Sequence, residues 1–375
     1  MEELLKDVPE YIKTLKPYPP GKPLEELERE YGIKNSIKLA SNENDLGPST
    51  KVIKKLKDVL KKLHRYPDGS GYYLKKALSE KFKCQMENIV LGNGSNELID
   101  FLCRVFIRPG KNAISSKPSF LVYSKMVQIT GGDNKIVPLK DNTHDLKAIR
   151  DAVDESTRII FLDNPNNPMG TVIKEADFDS FLKDLPDHLL VVLDEAYGEF
   201  VSDETDWAEA IKFLKKDERI VMLRTFSKAY GLAGLRIGYG IMSPKISSLL
   251  ERVRQPFNVN IMAQEAALNA LFDEKHLKVT LENNREEMIR IKKELEAIGC
   301  TSFDSNTNFM LIETFRDANA VYEEMLRQGV IIRSMNSYGF PTFIRLTIGT
   351  KDENDRFLQA LKKVLDKIPM GEGRR

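Results

Sequence analysis

The sequence is poor in cysteine and carries almost no net charge. Its 375 residues include three cysteines, which lie far apart without the spacing of a metal site, and the formal net charge is +1. A sparse, odd number of cysteines favours reduced thiols over a disulfide framework. A nearly neutral chain lacks the electrostatic footprint of a protein that binds nucleic acid or a membrane surface. We therefore expect a cytoplasmic protein with neither kind of partner.

Long hydrophobic runs and a secretory leader are also missing. No apolar run approaches the roughly 20 residues that a membrane span requires, and the acidic residues 1–7 lack the apolar core of a signal peptide. The four histidines lie outside the motifs described below, and we interpret them as surface or loop residues rather than as metal ligands. These histidines are His64, His144, His188 and His276.

The order of predicted elements indicates an α/β fold with more than one domain. A chain of 375 residues exceeds what a single core usually supports, so a large and a small domain are expected. Between about residues 50 and 255, apolar runs alternate with amphipathic segments, which predicts a mostly parallel sheet covered by helices on both faces. From about residue 260 the pattern predicts a smaller α+β domain. The predicted strands of the sheet are 89–91, 113–114, 159–162, 189–193, 220–223 and 237–241.

The most informative motif is TFSK at 225–228, which follows a predicted strand. Hydroxyls lie one and three residues before Lys228, and Arg236 follows eight residues after it in a glycine-spaced segment. A lysine among phosphate-binding groups suggests covalent attachment of a phosphorylated aldehyde, which the amine binds while hydroxyls and guanidinium hold the phosphate. Desolvation or nearby cations would lower the pKa of such a lysine. The alternative is a solvated surface lysine, because short motifs often match by chance.

A second motif, VVLDEAY at 191–197, places an acid at the end of a buried strand. Open α/β sheets bind their ligands at the carboxyl edge, and a buried aspartate needs a cationic partner. A protonated pyridine nitrogen would serve Asp194, because the carboxylate preserves the ring as an electron sink. Tyr197 could donate a hydrogen bond to a phenolate oxygen of the same ring. The alternative is that Asp194 caps a helix.

Two further turns follow predicted strands. IIFLDNPNNPMG at 159–170 ends in a turn that Asn and Pro favour without any function. Functionally, Asn167 could bind the phenolate oxygen beside Tyr197. NGSNE at 93–97 opens a helix, where free N–H groups and the helix dipole favour the binding of an anion. Ser95 and Asn96 would bind a phosphate there. An ordinary helix N-cap is the alternative, and both can be true.

Together these segments resemble the fold-type-I aminotransferases that use pyridoxal 5′-phosphate (PLP), and more finely their histidinol-phosphate aminotransferase group. The resemblance runs from LKPY at 15–18 to RLTIGT at 345–350, and stretches similar to the group include KLASNEN at 38–44, RYPDG at 65–69, LGNGSNE at 91–97 and LRTFSKA at 223–229. It implies a large domain with a mostly parallel seven-stranded sheet and a smaller α+β C-terminal domain. The implied boundaries are an N-terminal arm at 1–35 that joins the small domain, a large PLP-binding domain at 36–255, and a small domain at 256–375.

The resemblance also implies a role for each residue of the cofactor site. Lys228 holds the cofactor and moves protons, Asp194 binds the pyridine nitrogen, and Tyr197 and Asn167 bind the phenolate oxygen. Phe120 stacks on the ring, although a core aromatic at the start of a helix is always the alternative for a phenylalanine. The residues implied for the cofactor phosphate are Ser95, Asn96, Thr225, Ser227 and Arg236.

Other positions are implied for the substrate and for a second subunit. Arg345 would bind the α-carboxylate of the substrate as a planar bidentate donor. Arg333 matches a contact to the substrate phosphate, with a surface ion pair as its alternative, and Tyr18 and Asn42 match further pocket positions. Tyr66 would reach the cofactor phosphate of the partner subunit, so a homodimer with shared active sites is expected.

The implied reaction is transamination of L-histidinol phosphate with 2-oxoglutarate, giving imidazole acetol phosphate and glutamate in histidine biosynthesis. Aromatic amino acids are possible further donors in this group. The alternatives are an aromatic aminotransferase, a threonine-phosphate decarboxylase, a PLP-binding regulator fused to a DNA-binding domain, and a nicotinamide dehydrogenase. Only about 35 residues precede the match, too few for a winged helix, and Gly92-x-Gly94 lacks the third glycine of a dinucleotide fingerprint.

Two residues depart from the group pattern. Asp45 stands where members often have proline, and Met169 replaces the usual threonine before Gly170. Both flank the implied site, so we expect them to affect the shape of the pocket and not its chemistry.

Overall fold

The computed structural model describes residues 1–17 and 21–371. The strands in this part of the chain are β1 (Ile37–Lys38), β2 (Ile89–Gly92), β3 (Asn112–Lys117), β4 (Asp133–Pro138), β5 (Thr157–Asp163), β6 (Leu190–Asp194), β7 (Ile220–Thr225), β8 (Gly238–Ile241), β9 (Thr301–Ser302), β10 (Phe309–Glu313), β11 (Val330–Ile331), β12 (Arg333–Ser334) and β13 (Phe343–Thr347). The helices are α1 (Glu2–Lys6), α2 (Glu10–Lys13), α3 (Leu24–Tyr31), α4 (Thr50–Val59), α5 (Tyr72–Phe82), α6 (Ser95–Phe106), α7 (Val122–Ile129), α8 (Leu146–Asp151), α9 (Glu175–Lys183), α10 (Ala210–Leu214), α11 (Pro244–Val253), α12 (Ile261–Leu271), α13 (Glu274–Ala297), α14 (Ala318–Arg327) and α15 (Lys351–Lys367). Short 3₁₀ helices occur at Leu60–Lys62, Met86–Asn88, Gly198–Phe200, Ala233–Leu235 and Asn336–Tyr338.

A seven-stranded sheet forms the centre of the larger part of the chain. Its strand order is β2-β8-β7-β6-β5-β3-β4. The pairs β7–β6, β6–β5, β5–β3 and β3–β4 are parallel, and only β8 runs antiparallel to its neighbours. The prediction of an α/β fold with a mostly parallel seven-stranded sheet is therefore confirmed.

Alternating residues of the central strands fill two separate cores. Ile160 and Leu162 of β5 belong to the core on one face of the sheet, whereas Ile159 and Phe161 belong to the core on the other face. Both faces are apolar because helices cover both, which is why these strands appear in the sequence as continuous hydrophobic runs.

The ends of the parallel strands meet at one edge of the sheet. Asp163, the last residue of β5, lies directly opposite Asp194, the last residue of β6, and Asp194 lies opposite Leu223 of β7. Thr225 ends β7. Three consecutive strands in space thus deliver polar groups to the carboxyl edge, where open α/β sheets place their ligands.

The C-terminal part contains a smaller antiparallel sheet with the order β12-β13-β10-β9. Helices α13, α14 and α15 pack with it around a separate core that includes Leu346 and Phe357. Strand β1 pairs in parallel with β11, which joins the segment before Asn42 to this C-terminal part.

The domain boundaries stay predictions, and the packing of helix α12 and of the N-terminal arm bears on them. Helix α12 contributes Ala263 and Ala267 to the core of the large sheet, beyond the predicted boundary at residue 255. In the N-terminal arm, α3 packs through Leu27 against Ile331 of the C-terminal part. Helix α2 instead lies against α7 of the large part.

In the described part of the chain, no helix is both long enough and apolar enough to span a membrane. The same residues include no cluster of three or more His, Cys, Asp or Glu side chains arranged to hold a metal ion.

Candidate active site

A cavity of about 370 Å³ lies at the carboxyl edge of the large sheet and also includes residues of the C-terminal part. Among the described residues, all predicted site residues except Tyr66 line this cavity; Tyr18 lies outside the described residues. The predicted residues that the fold brings together here are Asn42, Ser95, Asn96, Phe120, Asn167, Asp194, Tyr197, Thr225, Ser227, Lys228, Arg236, Arg333 and Arg345.

The side chain of Lys228 projects into this cavity from the loop that follows β7. Its Nζ donates a hydrogen bond to the carbonyl oxygen of Ser41 at 3.0 Å and lies 5.8 Å from the centroid of the Tyr197 ring. Burial lowers the pKa of Lys228 to about 7, and the positive charge of Arg345 acts in the same direction. A substantial fraction of the amine is therefore neutral near pH 7, which is the form that attacks an aldehyde or accepts a proton.

Asp194 also lines the cavity and is almost fully buried. Its Oδ2 accepts a hydrogen bond from the Tyr123 hydroxyl at 2.9 Å, and its Oδ1 accepts one from the backbone N–H of Ala196 at 3.2 Å. Burial raises the pKa of Asp194 to about 7, although the Tyr123 hydrogen bond opposes this shift, and the nearby Asp163 raises it further. A cationic ligand would relieve this cost by holding the carboxylate in its charged form.

Two asparagine side chains contact the hydroxyl of Tyr197. The hydroxyl accepts hydrogen bonds from Asn42 Nδ2 at 2.8 Å and from Asn167 Nδ2 at 3.3 Å. Asn42 adopts a left-handed backbone conformation with φ of 54°. Burial raises the pKa of Tyr197 well above its usual value, so the hydroxyl stays protonated and can donate one hydrogen bond to a ligand oxygen.

The loop before α6 and the loop after β7 form a cradle too tight for extra side-chain atoms. A Cβ on Gly94 would lie 2.4 Å from Nη2 of Arg236, and a Cβ on Gly238 would lie 2.4 Å from the backbone nitrogen of Ser95. Arg236 also donates from Nη1 to Ser227 Oγ at 3.3 Å. Backbone N–H groups at a helix N-terminus, hydroxyls and a guanidinium are the donors that bind a phosphate.

The two arginines of the cavity lie on adjacent strands of the smaller sheet. Arg333 of β12 is the register partner of Arg345 of β13. The Arg345 guanidinium is buried and donates from Nη1 to Asn167 Oδ1 at 2.6 Å and from Nη2 to the carbonyl oxygen of Ala40 at 3.0 Å. Two neighbouring guanidinium groups give this side of the cavity a positive charge suited to carboxylates or phosphates.

Tyr66 lies apart from this cavity. Its side chain is 80% exposed and stacks on Phe257, with ring centroids 4.7 Å apart. Phe120, in contrast, borders the cavity and makes an edge-to-face contact with Tyr123, with ring centroids 5.6 Å apart.

The two departures from the group pattern have different surroundings. Met169 is buried against Leu311 and Met335, so an apolar side chain fits its position. Asp45 is half-buried, and burial together with Glu353 and Glu43 raises its pKa to about 7. Neither residue lines the cavity.

Several residues at the site were missed in the sequence. Tyr123 has no signal of its own, because it lies within an amphipathic helix where an aromatic is expected to be core. Asp163 ends a strand just as Asp194 does, and the same signal would have identified it. His144 lies in a loop, as expected, but it is buried rather than at the surface, with its Nε2 3.3 Å from Asp163 Oδ1.

The residues present fit a phosphorylated pyridine aldehyde. The cradle at Gly94 and Gly238 suits its phosphate, the shielded amine of Lys228 suits its aldehyde, and the buried carboxylate of Asp194 suits a protonated ring nitrogen.

The family model for aminotransferase class I and II matches residues 34–361. This match spans most of the chain, so the protein belongs to the class I and II aminotransferase family.

Relatives and solved structures narrow the assignment to the histidinol-phosphate aminotransferase group. The chain is 52% identical to histidinol-phosphate aminotransferase of Desulfotalea psychrophila, with 96% of each chain covered. It is 42% identical to the protein of the same name from Moorella thermoacetica, covering 97% of this chain and 95% of that protein. A crystal structure of histidinol-phosphate aminotransferase from Sinorhizobium meliloti, in complex with pyridoxal-5′-phosphate, is similar with a TM-score of 0.88 and 28% identity, covering 96% of this chain and 98% of that one.

Proposed function

We propose that this protein is a PLP-dependent transaminase that transfers the amino group of L-histidinol phosphate to 2-oxoglutarate, giving imidazole acetol phosphate and glutamate. Aromatic amino acids are proposed as weaker donors. The observation that carries the proposal is the single cavity that combines Lys228 and Asp194 with Arg333 and Arg345. Relatives that are 42–52% identical over nearly the whole chain carry the corresponding name, which supports this choice of donor.

The residues of the cofactor pocket have separate tasks in this proposal. PLP, when bound, supplies an electron sink for the electron pair left at the substrate carbon. Nζ of Lys228 would remove the proton from that carbon and deliver it to the carbon of the cofactor that takes up the amino group, which its pKa of about 7 suits. Asp194 would keep the ring nitrogen charged, and the Tyr197 hydroxyl would donate to the phenolate oxygen.

The arginines are proposed to orient the substrates. Both substrate classes carry anions, because histidinol phosphate has a phosphate ester and glutamate has two carboxylates. Arg345 can present two N–H groups to a planar carboxylate. Arg333, on the adjacent strand, lies close enough to share the same cavity and is proposed to bind the donor phosphate. Such positioning lowers the barrier by holding the reacting carbon beside Lys228.

We expect kcat/KM for L-histidinol phosphate to exceed that for L-phenylalanine, and Arg333→Gln to remove most of the difference. The loss should be about tenfold or more for the phosphate ester, since a charge-assisted hydrogen bond to phosphate is replaced by a neutral one. The value for phenylalanine should change much less. The measurement is steady-state glutamate formation from 2-oxoglutarate with each donor.

Arg327→Gln is the matched control, because Arg327 is an exposed arginine of α14 that pairs only with Glu324 among the contacts described. Equal kcat/KM for both donors in the wild type would instead support an aromatic aminotransferase. Carbon dioxide release from threonine phosphate without glutamate formation would identify a decarboxylase.

The proposed active unit is a homodimer in the cytoplasm. Large apolar and aromatic side chains are exposed near Tyr66 in the sequence and at Phe257, on which Tyr66 stacks, and Tyr66 itself is 80% exposed. Exposed apolar side chains in such number are typical of a surface covered by another chain. These side chains are Leu60, Leu63, Tyr66, Tyr72, Tyr73 and Phe257. The three cysteines are free thiols, which supports a reducing compartment.

Tyr66→Phe should weaken PLP binding about tenfold while leaving the molar mass of the dimer unchanged, because only one phosphate hydrogen bond from the partner subunit is lost. Fluorescence or absorbance titration gives the PLP dissociation constant, and light scattering gives the mass. Tyr73→Phe, which removes a hydroxyl from a neighbouring tyrosine that is 71% exposed, is the control. A monomer in solution, or wild-type PLP affinity in Tyr66→Phe, would contradict a shared site.

A further inference from the structure

Asp163 is a buried carboxylate at the carboxyl edge of the sheet, and it is not among the residues predicted to bind the cofactor or the substrate. It ends β5, is 4% exposed, and lies directly beside Asp194 in the register of β5 and β6. Burying a carboxylate is unfavourable unless several donors satisfy it. The donors around Asp163 are therefore informative about what this residue does.

The carboxylate of Asp163 joins two turns from different parts of the chain. Its Oδ1 accepts a hydrogen bond from the hydroxyl of Ser119 at 2.6 Å, and its Oδ2 accepts one from the backbone N–H of Asn167 at 2.8 Å. Asn166 strengthens the connection, because its Nδ2 donates to Asp163 Oδ1 at 3.2 Å and to the carbonyl oxygen of Pro118 at 3.4 Å. The Asp163 carboxylate and the Asn166 amide together hold the two turns side by side, with Asp163 making the shorter of the two links.

Each turn carries a residue proposed to contact the cofactor ring. Ser119 immediately precedes Phe120, which is proposed to stack on the ring face. Asn167 is proposed to bind the phenolate oxygen, and its Oδ1 also accepts the hydrogen bond from Arg345 Nη1 at 2.6 Å. Residues of both turns line the same cavity.

His144 contacts both the backbone carbonyl and the carboxylate of Asp163. Its Nε2 lies 3.0 Å from the backbone carbonyl oxygen and 3.3 Å from Oδ1 of Asp163, and its Nδ1 lies 2.7 Å from the hydroxyl of Ser116. A carbonyl oxygen can only accept, so Nε2 carries a hydrogen and donates. His144 therefore anchors the end of β5 through a buried hydrogen bond.

We propose that Asp163 is a positioning residue that sets the spacing between Phe120 and Asn167 and so shapes the slot for the cofactor ring. This inference rests on the proposed PLP-dependent function. Through Asn167, Asp163 also sets the position of the Arg345 guanidinium that receives the substrate carboxylate. Asp163 acts through its neighbours and does not itself bind the substrate.

The test is Ser119→Ala, which removes the hydrogen bond between Asp163 and the turn that carries Phe120 and leaves the charge of Asp163 in place. We expect the PLP dissociation constant to rise about tenfold, as for the loss of one hydrogen bond to a charged group. The visible circular dichroism of the bound cofactor should change, because the ring tilt is no longer held. KM for glutamate should rise more than kcat falls at saturating PLP. Asp163→Asn should show the same changes to a larger degree if it folds.

The matched control is Thr157→Val, which removes a buried hydroxyl from the opposite end of the same strand, where it bonds Asn112. A merely structural role would lower the melting temperature of Ser119→Ala and Thr157→Val alike, without altering the dichroism or PLP affinity of either. Wild-type dichroism and PLP affinity in Ser119→Ala would overturn the inference. Failure of the wild-type protein to bind PLP would instead overturn the proposed function.

Discussion

Replacing Lys228 with alanine should reduce turnover by about 10⁴-fold or more, since both the covalent anchor and the proton-transfer group are lost. Lys228 is the only lysine among the described residues that line the cavity, so no other amine there can replace it. The chain should still fold, because removing a buried amine with one described hydrogen bond, to the Ser41 carbonyl, relieves a desolvation cost. The measurements are glutamate formation, visible absorbance of added PLP, and thermal unfolding.

Lys81→Met is the matched control for this variant. Burial also lowers the pKa of Lys81, whose amine donates to the Tyr230 hydroxyl at 3.2 Å outside the cavity. Its replacement should leave turnover within a few-fold of the wild type. Turnover of Lys228→Ala close to that of this control would rule out the assignment of Lys228.

Replacing Asp194 with asparagine should lower kcat by about 10³-fold while some PLP still binds. The protonated ring nitrogen would lose its counter-charge, and a buried charge without its partner costs several kcal/mol. Asparagine preserves the shape of the side chain and can still accept the hydrogen bond from Tyr123, so the change isolates the negative charge. Without that charge the ring nitrogen loses its proton, and the electron pair at the substrate carbon is less stabilised. The measurement is kcat at saturating PLP, with the dissociation constant of PLP determined separately.

Tyr123→Phe is the control for the Asp194 variant, because it removes the 2.9 Å hydrogen bond and leaves the carboxylate. It should reduce kcat much less. A nearly normal kcat in Asp194→Asn would mean that another group holds the ring nitrogen, and Asp163 is the nearest carboxylate in register.

The cofactor-free protein offers a second readout of the same group. Burial raises the folded-state pKa of Asp194 to about 7, above its ordinary value of 3.8, so the folded state binds the proton more tightly than the unfolded state. The stability of the wild type should therefore fall as pH rises through this window, and Asp194→Asn should lose that part of the pH dependence. Thermal unfolding of the apoproteins at pH 5 and pH 8 measures the difference.

Most of the large sheet could be predicted from local patterns, with one informative exception. The six predicted strands overlap β2, β3 and β5 to β8, because each of these strands is mostly buried and contains an apolar run. The overlap with β3 is confined to residues 113–114, since Ser115, Ser116 and Lys117 are polar. Strand β4 was not predicted. Its residues are mostly exposed or half-buried and include Asp133 and Lys135, as is common at the edge of a sheet, so they lack a hydrophobic signal.

The motifs predicted the cofactor side of the site more fully than its supporting contacts. Lys228, Asp194 and Asn167 each follow a recognisable buried strand, and the fold brings all three to one cavity. The sequence does not mark Asp163 as a functional residue, because Asn and Pro account for the turn that follows it. His144 lies in a loop whose burial depends on neighbouring strands, and a loop sequence does not encode that burial.

The sequence by itself determined which groups reach the carboxyl edge of the sheet, because parallel strands all end on the same side and their apolar runs mark where they end. The tertiary structure alone decided how those groups meet the C-terminal part. Arg345 contacts Asn167 across 178 positions of sequence, and Asn42 contacts Tyr197 across 155. Those distances depend on how two separate cores pack against each other, and no local periodicity carries that information.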